Sequence, residues 1–124
     1  MPDKEYILNK FQEILESIEV IRERTSDIIK PDDFLLTSYG SLVFDACIMR
    51  LQSIGESVKR INDKTSERLF PCYPLVPWKA VIGLRNLISH EYSNVYEVLI
   101  FETIKNDIPA MKKTLLEIIK DLSS

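Results

Sequence analysis

Arg85, Asn86, Ser89, His90 and, just beyond them, Tyr92 cluster at the end of one apolar-periodic segment, and together they could do chemistry. On a helix turning about 100° per residue, with Arg85 set at zero, Ser89 falls at about 40°, Asn86 at about 100° and His90 at about 140°. A guanidinium, an amide and an imidazole then share one polar arc, and Asn86 and His90, four residues apart, are close enough to hydrogen-bond. Ala80, Val81, Leu84, Leu87 and Ile88 fall between about 200° and 320°, the stripe that would face a core. Glu91 drops back into that stripe, so the helix is expected to end near His90, with Tyr92 placed by the turn. Arginine offers a fixed fork of donors to an anion, and histidine exchanges a proton near neutral pH, so the chemistry on offer is that of a phosphate site. By spacing alone plainer readings stay open: a surface histidine, an arginine paired with one of 19 acids, a half-buried tyrosine.

Other chemistries find less support. His90 is the only histidine, and Cys47 and Cys72 are far apart without CxxC or CxxH spacing, so the three or four ligands of a zinc site are not assembled. No metal and no cofactor is expected. Ser89 adjoins His90 but lacks the GxSxG context of a nucleophilic serine. Neither GxxxxGK[ST] nor GxGxxG occurs, which excludes a glycine-rich phosphate cradle, and there is no EF-hand loop. The two cysteines, each beside apolar neighbours, are read as reduced packing residues.

The elements that must position these residues are helices. A chain of 124 residues is expected to be one domain, 1–124, and 45% hydrophobic with 28% charged residues is an ordinary globular balance. Three glycines and six prolines are too few turn-formers for a strand-rich fold. Ile7, Leu8, Phe11, Ile14, Leu15, Ile18 and Ile21 recur at spacings of three and four and predict a helix over 4–24. Pro31-Asp32-Asp33-Phe34 suits a short helix or turn. Leu42, Val43, Ala46, Cys47, Leu51, Ile54, Val58 and Ile61 predict the longest helix, from Ser41 to about Asn62, with Gly55 inside it for a close backbone approach. Residues 63–77, with three prolines, read as loop, and Trp78 opens a helix to about His90. Asn94 and Glu97 fit a capping box for a helix through Ile104. Asn106-Asp107 then ends that helix and caps the last, whose buried stripe is Met111, Leu115, Ile118, Ile119 and Leu122. The expectation is an all-α antiparallel bundle of about five helices. The net charge of −3 offers no general basic field, so any nucleic-acid role must rest on a local site. No signal-like N-terminus and no run near the length of a membrane span occurs, so a cytoplasmic protein without membrane contact is expected.

At the level of motifs, Arg85-Asn86-Leu87-Ile88-Ser89-His90-Glu91-Tyr92 matches Rx4HxY and resembles the HepT-like toxins, a branch of the HEPN superfamily of small helical ribonucleases. Trp78, Ile82 and Gly83 stand where that family's W…I.GLRN pattern puts them. Asp45-Ala46, Arg50-Leu51 and Ile54-Gly55-Glu56 reproduce its DA…RL..IGE helix, and Pro109 its DLP, with Ile108 in place of leucine. The resemblance runs from about Asp45 to Pro109; the one departure beside IGE is Ser57, where the family has alanine.

The resemblance implies a HEPN-like homodimer whose two Arg-His motifs face each other across a cleft. It implies a metal-independent endoribonuclease, the toxin of a type II toxin–antitoxin system acting on RNA. In that reading His90 is the general acid/base, Arg85 binds the phosphate, Asn86 orients His90 or the substrate, and Glu56 on the neighbouring helix holds Arg85. The implied partner is a MntA-like minimal nucleotidyltransferase, which neutralises the toxin by transferring AMP to Tyr92. Two other readings stand beside it. One is a non-catalytic nucleotide- or RNA-binding helical subunit of a nucleotidyltransferase complex, favoured by the lack of a basic stripe. The other is a helical interaction module whose motif is structural.

Overall fold

A computed structural model describes residues 3–90 and 97–123, with the side chains of residues 85–90 outside that description. Among the described residues all regular structure is helical, as expected. Helix α1 (Lys4–Arg24) buries Ile7, Phe11, Ile14, Ile18 and Ile21, the apolar positions that repeat every three or four residues. Thr25 ends it by returning both its N–H, at 3.0 Å, and its hydroxyl, at 2.7 Å, to the Ile21 carbonyl. The Pro31 segment forms a 3-10 turn, Pro31–Phe34. Asp33 organises the approach to it, its carboxylate accepting the backbone N–H groups of Ile29 at 2.8 Å and Lys30 at 3.2 Å. Those bonds, that of Ile29 first, hold its carboxyl below the ordinary carboxylate range.

Helix α2 (Ser38–Lys64) is the longest element and begins three residues before the expected Ser41. The reason is a cap: the Thr37 hydroxyl accepts the Gly40 N–H at 2.9 Å. Gly40 is also where one backbone lies hard against another, since a Cβ there would stand 2.1 Å from the Asp33 carbonyl oxygen. Gly55, where sequence reasoning sought such an approach, is buried on the same helix. Leu42, expected in the core stripe, is 67% exposed, with Tyr39 and Met49 on the outer surface too. Ser66 and Glu67 adopt left-handed backbone (φ 53° and 61°), and the Glu67 N–H returns to the Asn62 carbonyl at 2.8 Å, closing α2.

The proline-rich segment is not free loop. It holds a second 3-10 turn, Phe70–Cys72, from which Phe70 stacks on Trp78 at 4.0 Å and meets Phe11 edge-on at 6.4 Å. The Trp78 indole N–H donates to the Tyr73 carbonyl at 2.8 Å, fixing the start of helix α3 (Trp78–His90). Within α3 Val81 is buried and Leu84 half-buried, but Ala80, expected in the stripe, is exposed.

The C-terminal region departs from the expected five helices. Helix α4 (Glu97–Glu102) does not stop at Asn106-Asp107; it passes through a π-helical turn, Thr103–Asp107, directly into α5 (Ile108–Ser123). The described residues therefore form four helical rods, the last made of α4, the π turn and α5. Pro109 explains the widening: it lacks an N–H, and its ring would press on the carbonyl one turn back, so the preceding turn opens to five-residue spacing. The Ile108 N–H accordingly donates to the Thr103 carbonyl. Asn106 serves that helix instead of capping a new one, its side-chain amide donating to Glu102 Oε2 at 2.8 Å. Ile100, Ile104, Ile108, Met111, Leu115 and Ile118 are buried along the rod, while Ile119 and Leu122 are only partly covered. Asn94, the other half of the expected capping box, lies outside the described residues. Helix α2 packs against both α1 and α3, and α5 against α1. Lys112 on α5 meets Glu19 on α1 at 2.5 Å, and this bond depresses the Glu19 carboxyl.

Candidate active site on helix α3

Helix α3 is described from Trp78 to His90, so Arg85, Asn86 and His90 occupy one continuous helical backbone; the expected end of the helix near His90 borders residues outside the description. Over the five residues from Arg85 to His90 the rise is about 7.5 Å, and positions 86 and 90 are one turn apart. The side chains of Arg85, Asn86, Ser89 and His90, and the whole of Tyr92, lie outside the described residues. What is described is how their helix is held. Trp78 is clamped at its first residue by Phe70 and the Tyr73 carbonyl, and Val81 seats the next turn in the core along α2. A helix pinned at its N-terminal end leaves its C-terminal half to present the motif.

Glu56, the expected partner of Arg85, is half-buried on α2, the helix against which α3 packs. It borders a shallow polar cavity of about 270 Å³ with Lys59, Arg60 and Asp63, where Lys59 and Asp63 pair at 2.9 Å. Ser57, the departure from the family pattern, is buried on the same helix. Arg50 reaches across to α1, its guanidinium donating to the Ser17 hydroxyl at 3.4 Å.

Cys47 is not an activated nucleophile. Cys47 is buried, and burial pushes its thiol up to about 11, so it stays neutral. Cys72 is exposed, which corrects its reading as a packing residue; both are free. The Tyr73 hydroxyl donates to Asp121 Oδ2 at 2.6 Å, and this bond above all raises the phenol to about 12, so it stays protonated and ties the proline segment to α5. Among the described residues no three His, Cys, Asp or Glu side chains converge as a metal site would require. No helix among them is long and apolar enough to cross a membrane.

Sequence reasoning missed a groove of about 670 Å³ beside the first turn of α3. Asn62 and Glu67 line it from the end of α2 and the turn after it, Pro71 and Pro77 from the proline-rich segment, and Trp78 and Lys79 from α3 itself. These residues all lie within 62–82, which reads in sequence as a helix end, a loop and a helix start, so only the way that stretch folds back on itself reveals the groove.

Comparison with known proteins gives a consistent result. The family model described as "Ribonuclease HepT-like" matches residues 14–118. A Methanocaldococcus jannaschii protein named as a candidate RNase is 35% identical over 101 residues, covering 82% of this chain and 85% of its own. A Thermococcus cleftensis protein named probable ribonuclease HepT is 35% identical over 102 residues, covering 82% and 84%. A further M. jannaschii protein, whose name joins a gamma-glutamylcyclotransferase to a candidate RNase, is 36% identical over 109 residues. The present chain spans only 46% of that longer protein. No solved structure matches the chain.

Proposed function

The chain belongs to the HepT-like ribonuclease family, and from that membership we propose that it is a metal-independent endoribonuclease, the toxin of a type II toxin–antitoxin pair. The observation that carries this reading is the unbroken helix Trp78–His90, which sets positions 86 and 90 one turn apart beside Arg85. In the reaction a base takes the proton of the ribose 2′-hydroxyl, the 2′-oxygen attacks phosphorus, and the P–O5′ bond breaks as an acid protonates the leaving 5′-oxygen. The products are a 2′,3′-cyclic phosphate and a free 5′-hydroxyl. Arg85 binds the phosphate and stabilises charge on its oxygens in the transition state, Asn86 orients His90 or the substrate, and Glu56 holds Arg85.

One subunit has one histidine, and the reaction calls for a base and an acid, so the active unit is a homodimer with two His90 residues facing one cleft. Gly83 supports this arrangement. A Cβ at Gly83 would meet nothing within 4 Å among the described residues, and its φ is not positive, so their packing gives no reason for a residue that costs a helix about 1 kcal/mol relative to alanine. The close approach of a second α3 supplies one.

The partner in this reading is a MntA-like nucleotidyltransferase. The Tyr92 hydroxyl attacks the α-phosphorus of ATP, pyrophosphate leaves, and the AMP that remains adds negative charge and bulk beside Arg85. The deciding experiment incubates the purified protein with total RNA, with and without EDTA, beside His90→Ala. Cleavage that survives chelation in the parent and is lost in the variant is expected. Cleavage equal in both would remove His90 from the chemistry, and no cleavage by the parent would favour the non-catalytic subunit reading.

A further inference from the structure

We propose that the groove beside the first turn of α3 is a nucleobase subsite, holding a nucleotide that flanks the bond cleaved at the motif, with Glu67 reading the base and Lys79 its phosphate. This rests on the ribonuclease reading for its occupant, but its residues are distinct from the motif. The first argument is continuity. On the helical wheel of α3, Ile82 lies at about 60° and Lys79 at about 120°, in the same arc as positions 86 and 90. Both Ile82 and Lys79 line the groove. The face that carries the motif at one end of α3 therefore carries the groove at the other, and from Ile82 to His90 the axial rise is only about 12 Å. That span is short enough for neighbouring nucleotides of one strand.

The second argument is chemistry. The groove offers apolar walls, Pro71, Pro77 and the edge of Trp78, against which a planar base can lie. Asn62 and Glu67 also line it, and their backbones are tied where the Glu67 N–H is bonded to the Asn62 carbonyl at 2.8 Å. Lys79 is exposed and is the cation among the residues lining the groove. A carboxylate accepts only, so it selects a base that presents N–H donors, and guanine offers two adjacent ones on its Watson–Crick edge. A lone acidic side chain would repel RNA phosphate; in a groove that Lys79 also lines, it suits a base edge with the phosphate turned to the lysine.

The chain contains one tryptophan, Trp78, so its fluorescence reports the groove directly. The probes are two 2′-O-methyl pentanucleotides, which lack the attacking hydroxyl and cannot be cut: one with a central guanine among uridines, the other all uridine. The guanine oligonucleotide is expected to quench Trp78 at roughly tenfold lower concentration than the all-uridine one, the discrimination typical of a bidentate base contact. Glu67→Gln, an isosteric change at an exposed position, should bring the two midpoints together. Lys79→Glu should raise both midpoints by about tenfold and flatten their salt dependence. Equal midpoints in the parent, a preference that survives Glu67→Gln, or quenching caused by the nucleotidyltransferase but by neither oligonucleotide would each overturn the assignment. Guanine-preferring quenching in a protein that cuts no RNA would keep the subsite and discard the ribonuclease reading. RNA cleavage with Trp78 unmoved by either probe would do the reverse.

Discussion

His90 carries the proton transfers of the proposed reaction, and it sits at the last residue of α3, beyond the turns that Trp78 and Val81 anchor in the core. Its removal should therefore separate chemistry from folding. His90→Ala is expected to lower the cleavage rate by at least about a hundredfold, the usual contribution of a positioned general acid or base, with an unchanged melting temperature. Tyr92 makes a separate claim. After co-expression with the nucleotidyltransferase, the intact mass should show AMP increments on a peptide containing Tyr92, and Tyr92→Phe should carry none. Modification persisting in that variant moves the acceptor elsewhere and leaves the cleavage mechanism standing.

At the scale of elements, one local device lets a helix begin and another lets a helix continue, and both are testable. Gly40 allows α2 to start against the 3-10 turn, because any Cβ there would strike the Asp33 carbonyl. Gly40→Ala should destabilise the fold by roughly 1–3 kcal/mol, the range for overpacking against groups that cannot move, as read by urea unfolding. The second device is the π turn. Asp107 lies within it, and burial raises its carboxyl above the ordinary range. The sign follows from linkage: the folded state holds that proton more tightly than the unfolded chain, so Asp107 opposes folding once pH rises through its raised pKa. Asp107→Asn should raise the melting temperature at pH 7 and make little difference at a pH below the carboxylate range. A variant that gains nothing at pH 7 would show that the turn solvates its carboxylate.

At the scale of the whole molecule, Gly83 distinguishes the subunit from its assembly. Within one subunit Gly83→Ala should add up to about 1 kcal/mol of stability, because alanine is the better helix former and the added methyl meets none of the described residues. In a dimer that brings two α3 helices together there, the same methyl should weaken association. Sedimentation equilibrium of Gly83→Ala against the parent, beside thermal melting, reads both effects. A more stable monomer with a weaker dimer is expected; an unaltered dimer would place the contact on another face. The outer side of α2, with Tyr39, Leu42 and Met49 exposed, is the apolar alternative.

What the sequence determined by itself is whatever depends on near neighbours in the chain. The bounds of α1, the helical class of the described residues and the start of α3 at Trp78 all follow from apolar periodicity and turn chemistry within a few residues. The motif was legible for the same reason, since Arg85, Asn86 and His90 share a helix and need only its pitch to share a face. The tertiary structure decided the rest. Asn106-Asp107 reads locally as a stop, yet the buried stripe from Ile100 to Ile118 keeps the rod continuous and Pro109 is absorbed as a π turn. Leu42 fits the periodic pattern and still faces outward, because periodicity gives a helix a face but not the neighbour that covers it. The groove of Asn62, Glu67, Trp78 and Lys79 lies within residues 62–82, yet it exists only because the end of α2 folds back beside the start of α3, and helical periodicity does not encode that meeting.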